Sequence, residues 1–462
     1  MEWDKLKPAI LERIKPDPDE SNEVKVLVEV LIRRLSLHLR EKDIEASVEV
    51  HGSVIHDTWL KGDHDLDIFV VLPPTKSIEY LKVVLDEVKV FLGEGWVEAY
   101  AEHPYIKIDI SGLSVDFVPC FRVENGRLIS STDRTPLHTA FLAEKLNPEQ
   151  RDEVRILKQF LRGIEVYGAE IKVGGFSGYL AELLIVTHGS FLDVLKAARN
   201  WRRGELISPT SFDDKGKHNF GEPLIIIDPV DHSRNAASAV SETSMWTFIA
   251  AARQFLENPD EKFFFPTRKN VEKIDLIKLL KSRGMDTVFL VINDSNPDVS
   301  DILWGQLKKT EKTLKRQLQI GGFQVDRTFV WSDEKNKHVF VLELETVTLP
   351  CTEKKLGPPV ALTADCENFI KEYVNKEITV AGPGVEGDRW WVIVMRPYRN
   401  VGDYLRNVLK DGGSTLGIPR KISEDIAKGF QLLINSEAES ILEGEFQAKL
   451  YEFMIGRPMW LE

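Results

Sequence analysis

With 462 residues, 43% of them apolar and 29% charged, the chain has material for roughly three domains with full cores and a charged surface. A formal net charge of −13 excludes a general polyanion binder, so any nucleic-acid partner must be met by basic residues gathered locally. Cys120, Cys351 and Cys366 are odd in number and lack CxxC spacing, which excludes a disulfide framework and a cysteine zinc site and suits a reducing cytoplasm. The N-terminal stretch MEWDKLKPAILERIKPDPDE has no apolar core of signal-peptide type, and no run reaches the roughly 18 apolar residues of a membrane span. The expectation is a cytoplasmic globular protein.

Residues 20–42 place Val24, Leu27, Leu31 and Leu35 at helical spacing, and Ser47–Val50 reads as a first strand. The stretch that organises the chain follows, HGSVIHDTWLKGDHDLDIFVV from 51 to 71. Gly52-Ser53 makes a turn small enough for a phosphate to approach, and Val54–Leu60 is expected as a helix whose N-terminus receives it. Asp65 and Asp67 enter the apolar run Ile68–Leu72, a buried strand stopped by Pro73-Pro74. Two residues apart on a strand, their carboxylates share a face. They repel unless a cation sits between them, and a hard divalent ion such as Mg²⁺ resolves the conflict.

Asp57 and Asp63, earlier in the stretch, read as solvated. A helix over 77–92 and a strand over 105–110 lead to Leu113–Val118, a strand carrying Asp116 and stopped by Pro119. If that strand neighbours 66–72, three aspartates converge on a two-metal site for phosphoryl chemistry.

Beyond the aspartates, Asp133–His138 is a turn with a helix starting near Pro136. Over 149–165, Val154, Leu157, Phe160, Leu161 and Ile164 make an apolar stripe. Arg151, Arg155, Lys158 and Arg162 make a basic one that reads mainly as a solvated face. Gly174–Tyr179 reads as glycine punctuation opening another helix, Leu180–Val186. Asp228-Pro229 follows the strand-like Leu224–Ile227 as an ordinary turn. Farther on, strands at 287–292, 325–331 and 338–345 and a helix over 299–319 give the β-α-β-β order of a ferredoxin-like or RRM-like module. That helix bears Lys308, Lys309, Lys312, Lys315 and Arg316, a basic cluster in an acidic protein, which points to phosphate contact. Trp390–Met395 adds a strand, and residues 356–462 offer no site.

Gly-Ser, eleven residues, Asp-x-Asp and a later strand aspartate resemble the polymerase-β-type nucleotidyltransferase palm. The words Thr58–Gly62 and Ala101–Tyr105 are similar to archaeal-type (class I) CCA-adding tRNA nucleotidyltransferases, and the likeness runs to about residue 265. The implied fold is α+β and multidomain: a palm over 1–145, a helical central domain over 146–265 and a ferredoxin-like tRNA-binding region over 266–462. The implied activity is template-independent addition and repair of the 3′-terminal CCA of tRNA from CTP and ATP, with Mg²⁺ as cofactor. A dimer is also implied. Asp65, Asp67 and Asp116 would be catalytic metal ligands. Gly52, Ser53, Thr135, His138, Lys158 and Tyr167 match positions that hold the triphosphate and sugar. Asp228-Pro229 with Arg234-Asn235 resembles a motif shared with poly(A) polymerases, which makes Arg234 the candidate reader of the base. Where these enzymes carry an arginine three residues after Gly-Ser, this chain has His56, a group charged only at lower pH. Lys308, Lys312, Lys315 and Arg316 are the candidate RNA contacts. Rival readings are a poly(A) polymerase, a small-molecule nucleotidyltransferase and a non-catalytic RNA-binding relative.

Overall fold

The structure, a computed structural model, describes residues 2–461 apart from 64, 101–102, 125, 211–219, 270 and 295. His64, and Ala101-Glu102 of the second family-like word, lie outside the described residues. The chain forms two units, residues 1–268 with 457–462, and residues 269–456.

The first unit begins with helices α1 (Trp3–Ile14) and α2 (Pro18–Glu41). Then come β1 (Ser47–His51), the one-turn α3 (Ser53–His56), β2 (Asp65–Leu72), α4 (Tyr80–Leu92), β3 (Val97–Tyr100), β4 (Pro104–Ile110) and β5 (Leu113–Phe121). The sheet order is β1-β2-β5-β4-β3, with β2 and β5 parallel and the other pairs antiparallel. Leu66, Ile68, Val70 and Leu72 pack with Val115 and Phe117 against Leu35 of α2 and Val84 and Leu85 of α4. By the period of two, Asp65, Asp67 and Asp116 project from the opposite face.

Two local expectations change. The helix over 54–60 is only the single turn α3, closed by Asp57 in a left-handed conformation at φ 55°. The chain leaves the helix there because Thr58, Trp59 and Leu60 are buried, Leu60 within the apolar core formed by the helices downstream. The Asp116 strand does not stop at Pro119 but runs to Phe121. The last β4–β5 pair is Ile106↔Phe117, so the donor that proline lacks falls where the β4 side has ended. The Pro119 carbonyl accepts instead from the Thr132 hydroxyl at 3.1 Å.

Helices α5 (Arg134–Lys145), α6 (Pro148–Gly163), α7 (Gly178–His188) and α8 (Phe191–Ala198), a short pair β6 (Glu205–Ile207) and β7 (Leu224–Ile226), and α9 (Glu242–Glu257) complete the unit. Leu157, Phe160 and Leu161 of α6 are the centre of their core, which also takes in Leu6, Ile10 and Ile14 of α1. The first helix therefore packs with the helical layer rather than with the palm sheet. Trp460, near the C-terminus, is buried in the same core.

In the second unit, α10 (Lys273–Ser282), β8 (Asp286–Asn293), α11 (Ser300–Ile320), β9 (Val325–Ser332) and β10 (Lys337–Leu344) come first. A three-stranded sheet of β11 (Thr352–Pro359), β12 (Thr379–Glu386) and β13 (Arg389–Met395) then carries α12 (Thr363–Tyr373). After α13 (Val401–Val408) come α14 (Arg420–Lys428), β14 (Phe430–Ile434) and α15 (Gly444–Ile455). The main sheet order is β14-β8-β10-β9, all antiparallel, with α11 and α14 on one face. This is the ferredoxin-like arrangement, completed by α14 and β14 on the far side of the inserted three-stranded sheet. No single helix among the described residues is long and apolar enough to cross a membrane.

Candidate active site

The β2–β5 register sets the acidic centre. Asp67 pairs directly with Asp116 across the parallel ladder, and Asp65 pairs with Ser114 two residues earlier on the same face. Burial pushes the Asp67 carboxyl up to about 7, helped by the neighbouring Asp116 and Asp65 carboxylates. Asp116 is raised too, by burial and by Asp65, against the opposing pull of Lys107, whose ammonium lies 3.5 Å from Asp116 Oδ1. Lys107 stands opposite Asp116 on β4 and supplies part of the countercharge.

Asp116 Oδ1 makes no hydrogen bond among the described residues. The three carboxylates stand side by side without closing into a preformed ligand cage. An oxygen-only set with an orphaned buried acceptor fits a hard divalent ion that keeps several of its waters. Gly52 crosses directly beside this cluster at φ 74° and ψ −157°, a conformation open to glycine alone, and a Cβ there would collide with Asp67 Oδ2.

A cleft of about 460 Å³ opens over the aspartates between the palm and the helical layer of the first unit. Gly52, Ser53, His56, Asp65 and Asp67 line its palm side. Thr135 and His138 reach it from α5, Lys158 from α6, and Tyr167 and Arg234 from the loops beyond. Asp116 is not on the lining but adjoins it through Asp67. Ser177 and Tyr179 line it as well, from the start of α7.

The basic stripe of α6 is not a solvated face. Arg155 and Lys158 are each 1% exposed. The strip 57–63 of the palm lies across them. Arg155 Nε donates to the Trp59 carbonyl at 3.0 Å, and its fork pairs with Asp57. Lys158 Nζ donates to the carbonyl and the hydroxyl of Thr58, each at 3.1 Å. Arg162 donates to Asp63 at 2.8 Å. Asp57, exposed as expected, and Asp63, expected as solvated but half-buried, are thus counterions of this stripe. Such pairing is required because a buried cation without partners is strongly destabilising. Lys158 has its pKa lowered by burial, with Glu182 acting against that shift.

Glu182 is the site residue that sequence reasoning missed. It is 3% exposed, with Oε1 3.1 Å from His56 Nδ1 and 3.7 Å from Lys158 Nζ, and it accepts from the Thr58 hydroxyl. His56 Nε2 is buried and unpartnered among the described residues, in a side chain that lines the cleft. The available signal was a lone carboxylate within the apolar run Leu180–Val186, since a buried charge must have a partner. On the far wall, His138 stacks on Tyr179 with centroids 4.1 Å apart. Its Nε2 lies 3.0 Å from Asp228 Oδ2, and Arg234 donates to the same oxygen at 2.7 Å.

Aspartates paired across parallel strands beside a cation-rimmed cleft fit a nucleotidyltransferase, and the family comparisons give that class. The nucleotidyltransferase domain matches residues 32–138, and the second domain of tRNA nucleotidyltransferase matches 152–265. The C-terminal domain of CCA-adding enzyme matches 283–435. The CCA-adding enzyme of Methanothermobacter thermautotrophicus is 37% identical over 96% of this chain and 96% of its own length. That of Pyrobaculum islandicum is 40% identical over 88% and 93%, and that of Methanosarcina barkeri is 34% identical over 99% and 98%. The chain belongs to the CCA-adding enzyme family. Its C-terminal half, where the sequence reading lost the likeness, lies within that match.

Proposed function

We propose that this enzyme adds and repairs the 3′-terminal CCA of tRNA from CTP and ATP, with Mg²⁺ held by Asp65, Asp67 and Asp116. The observation that carries the chemistry is the register Asp67↔Asp116, with Asp65 on the same face and open to the cleft. The tRNA 3′-hydroxyl gives up its proton, with Asp116 as the candidate acceptor; its oxygen forms a bond to the α-phosphorus, and the bond from that phosphorus to the leaving pyrophosphate breaks. Two Mg²⁺ ions would lower the pKa of the attacking hydroxyl and neutralise charge on the leaving phosphates.

The chain's own residues bind and orient. Gly52 keeps the turn thin beside Asp67, and Ser53, Thr135 and His138 offer donors to the triphosphate. Lys158 supplies positive charge from the floor, with its amine fixed by Thr58. Tyr167, whose hydroxyl is kept protonated by burial, is placed for the sugar. Arg234 presents a planar fork to the base. His56 lines the cleft with Nδ1 held by Glu182, and it is our candidate to stand where relatives carry the phosphate-binding arginine. In the second unit, the exposed Lys312 and Arg316 and the half-buried Lys308 and Lys315 of α11 make the surface we assign to the RNA backbone.

A homodimer belongs to the proposal on family likeness alone. A cytoplasmic location is supported by three cysteines that are all unpaired. The test is nucleotide transfer by Asp65→Asn and Asp67→Asn, each expected to abolish incorporation while tRNA affinity stays at the parent value. Substantial Mg²⁺-dependent turnover by Asp67→Asn would sink the assignment.

A further inference from the structure

One buried carboxylate ties together the far wall of the cleft without lining it. Asp228 is fully buried and follows β7 by two residues. Its Oδ2 accepts from Arg234 Nη1 at 2.7 Å and lies 3.0 Å from His138 Nε2. Its Oδ1 lies 3.1 Å from the same ring nitrogen and accepts from the Tyr179 hydroxyl at 3.4 Å and the Val230 N–H at 3.1 Å. The Asp228 N–H donates to the Arg234 carbonyl at 3.1 Å, so Arg234 is held at its backbone and at its fork.

Burial alone would raise the Asp228 pKa. The His138 and Arg234 contacts and the Val230 N–H outweigh that, leaving it at about 2, so the group is an anion at any working pH. An acceptor this well satisfied has no capacity to spare for substrate. What it can do is aim its donors. A guanidinium on a flexible stem discriminates bases only if its plane is fixed, because hydrogen bonds weaken steeply as they bend. With Nη1 committed to Asp228, the orientation of the rest of the fork is set.

We infer that Asp228 is a positioning residue for nucleotide selection, fixing the Arg234 fork and the His138 ring in one frame so that base and triphosphate are gripped in register. The inference rests on the reading of Arg234 and His138 given above. A base that does not suit the fork would then pull against the triphosphate grip, which raises discrimination beyond what Arg234 gives unanchored.

The experiment uses the full-length enzyme, tRNA lacking its terminal nucleotides, and kcat/KM for CTP against UTP and for ATP against GTP. Asp228→Asn keeps the shape but loses the charge, and charge-assisted bonds are about twice as strong as neutral ones. Discrimination is expected to fall about tenfold, through KM for the correct nucleotide more than kcat, with tRNA KM unchanged. Adding Asp228→Asn to Arg234→Lys should cost no further discrimination. Melting curves control for folding. If the asparagine variant unfolds at assay temperature, Asp228→Glu keeps the charge and displaces the fork by one methylene, with the same loss expected.

If Arg234→Lys loses discrimination while the Asp228 variants keep it, or if the losses add, the positioning role is overturned. If Arg234→Lys itself keeps full discrimination, the base-reading role of Arg234 falls, and the inference falls with it.

Discussion

A carboxyl group poised at about 7 is half-protonated near neutrality, and for Asp67 the cause is burial beside Asp116 and Asp65. In metal-free buffer the folded state binds this proton more readily than the unfolded chain, whose group titrates near 3.8. The stability this one group contributes is therefore fully present below about pH 4 and is lost as pH rises through 7. Asp67→Asn removes that loss. At pH 8 without metal the variant should be more stable by about 1–3 kcal/mol, a range discounted for the solvent in the open cleft, since each pKa unit is worth about 1.4 kcal/mol. At pH 4 the two proteins should melt together, and Mg²⁺ at pH 8 should stabilise the parent alone. Thermal melts across pH check this, and equal melting at pH 8 without metal would contradict it. His56 shows what one residue does not reveal. The sequence places a histidine where relatives carry arginine, but not the Glu182 carboxylate 126 positions away that holds its Nδ1.

Among the elements, the β1–α3 turn is the least tolerant of change. Gly52→Ala forces a side chain into a region of φ and ψ that only glycine adopts freely, which costs on the order of 1–3 kcal/mol, and drives its Cβ against Asp67. Transfer should be lost while tRNA binding persists, as incorporation and filter-binding assays would record; transfer at the parent rate would place the phosphate cradle elsewhere. Strands β2 and β5 were legible because alternation and burial leave strand residues little freedom. The Asp67↔Asp116 register is a direct consequence of that. Helix α6 was legible as a helix but not as a buried one. Its cations read as surface because their partners, Asp57, Thr58, Trp59 and Asp63, come about a hundred residues earlier and meet them only in the fold. A one-turn α3 was invisible for the same reason: Leu60 is drawn into a core that local propensity does not contain.

For the whole molecule, the acidic average of −13 makes location of basic charge the informative quantity. The first half of the ferredoxin-like module was readable as β-α-β-β. The second half was not, because the three-stranded sheet separates β10 from α14 and β14 in sequence, although β14 returns to pair with β8 in the same sheet. Helix α11 turns Lys309, Lys312 and Arg316 to solvent with Lys308 and Lys315 half-buried, and Arg316 also donates to the Leu416 carbonyl at 2.7 Å. If this face meets tRNA phosphates, reversing Lys308, Lys312 and Lys315 to glutamate lowers the log–log salt slope of binding by about 0.9 for each duplex phosphate no longer neutralised. Nucleotide KM should stay close to that of the parent. An unchanged slope in a binding titration across salt moves the RNA surface off α11.

CCA addition itself is tested by incubating the enzyme with Mg²⁺, CTP, ATP and tRNA lacking its last three nucleotides, then sequencing the product 3′ ends. The ends should be completed to C-C-A and extend no further. Runs of A, indifference to CTP, or no extension at all would contradict it.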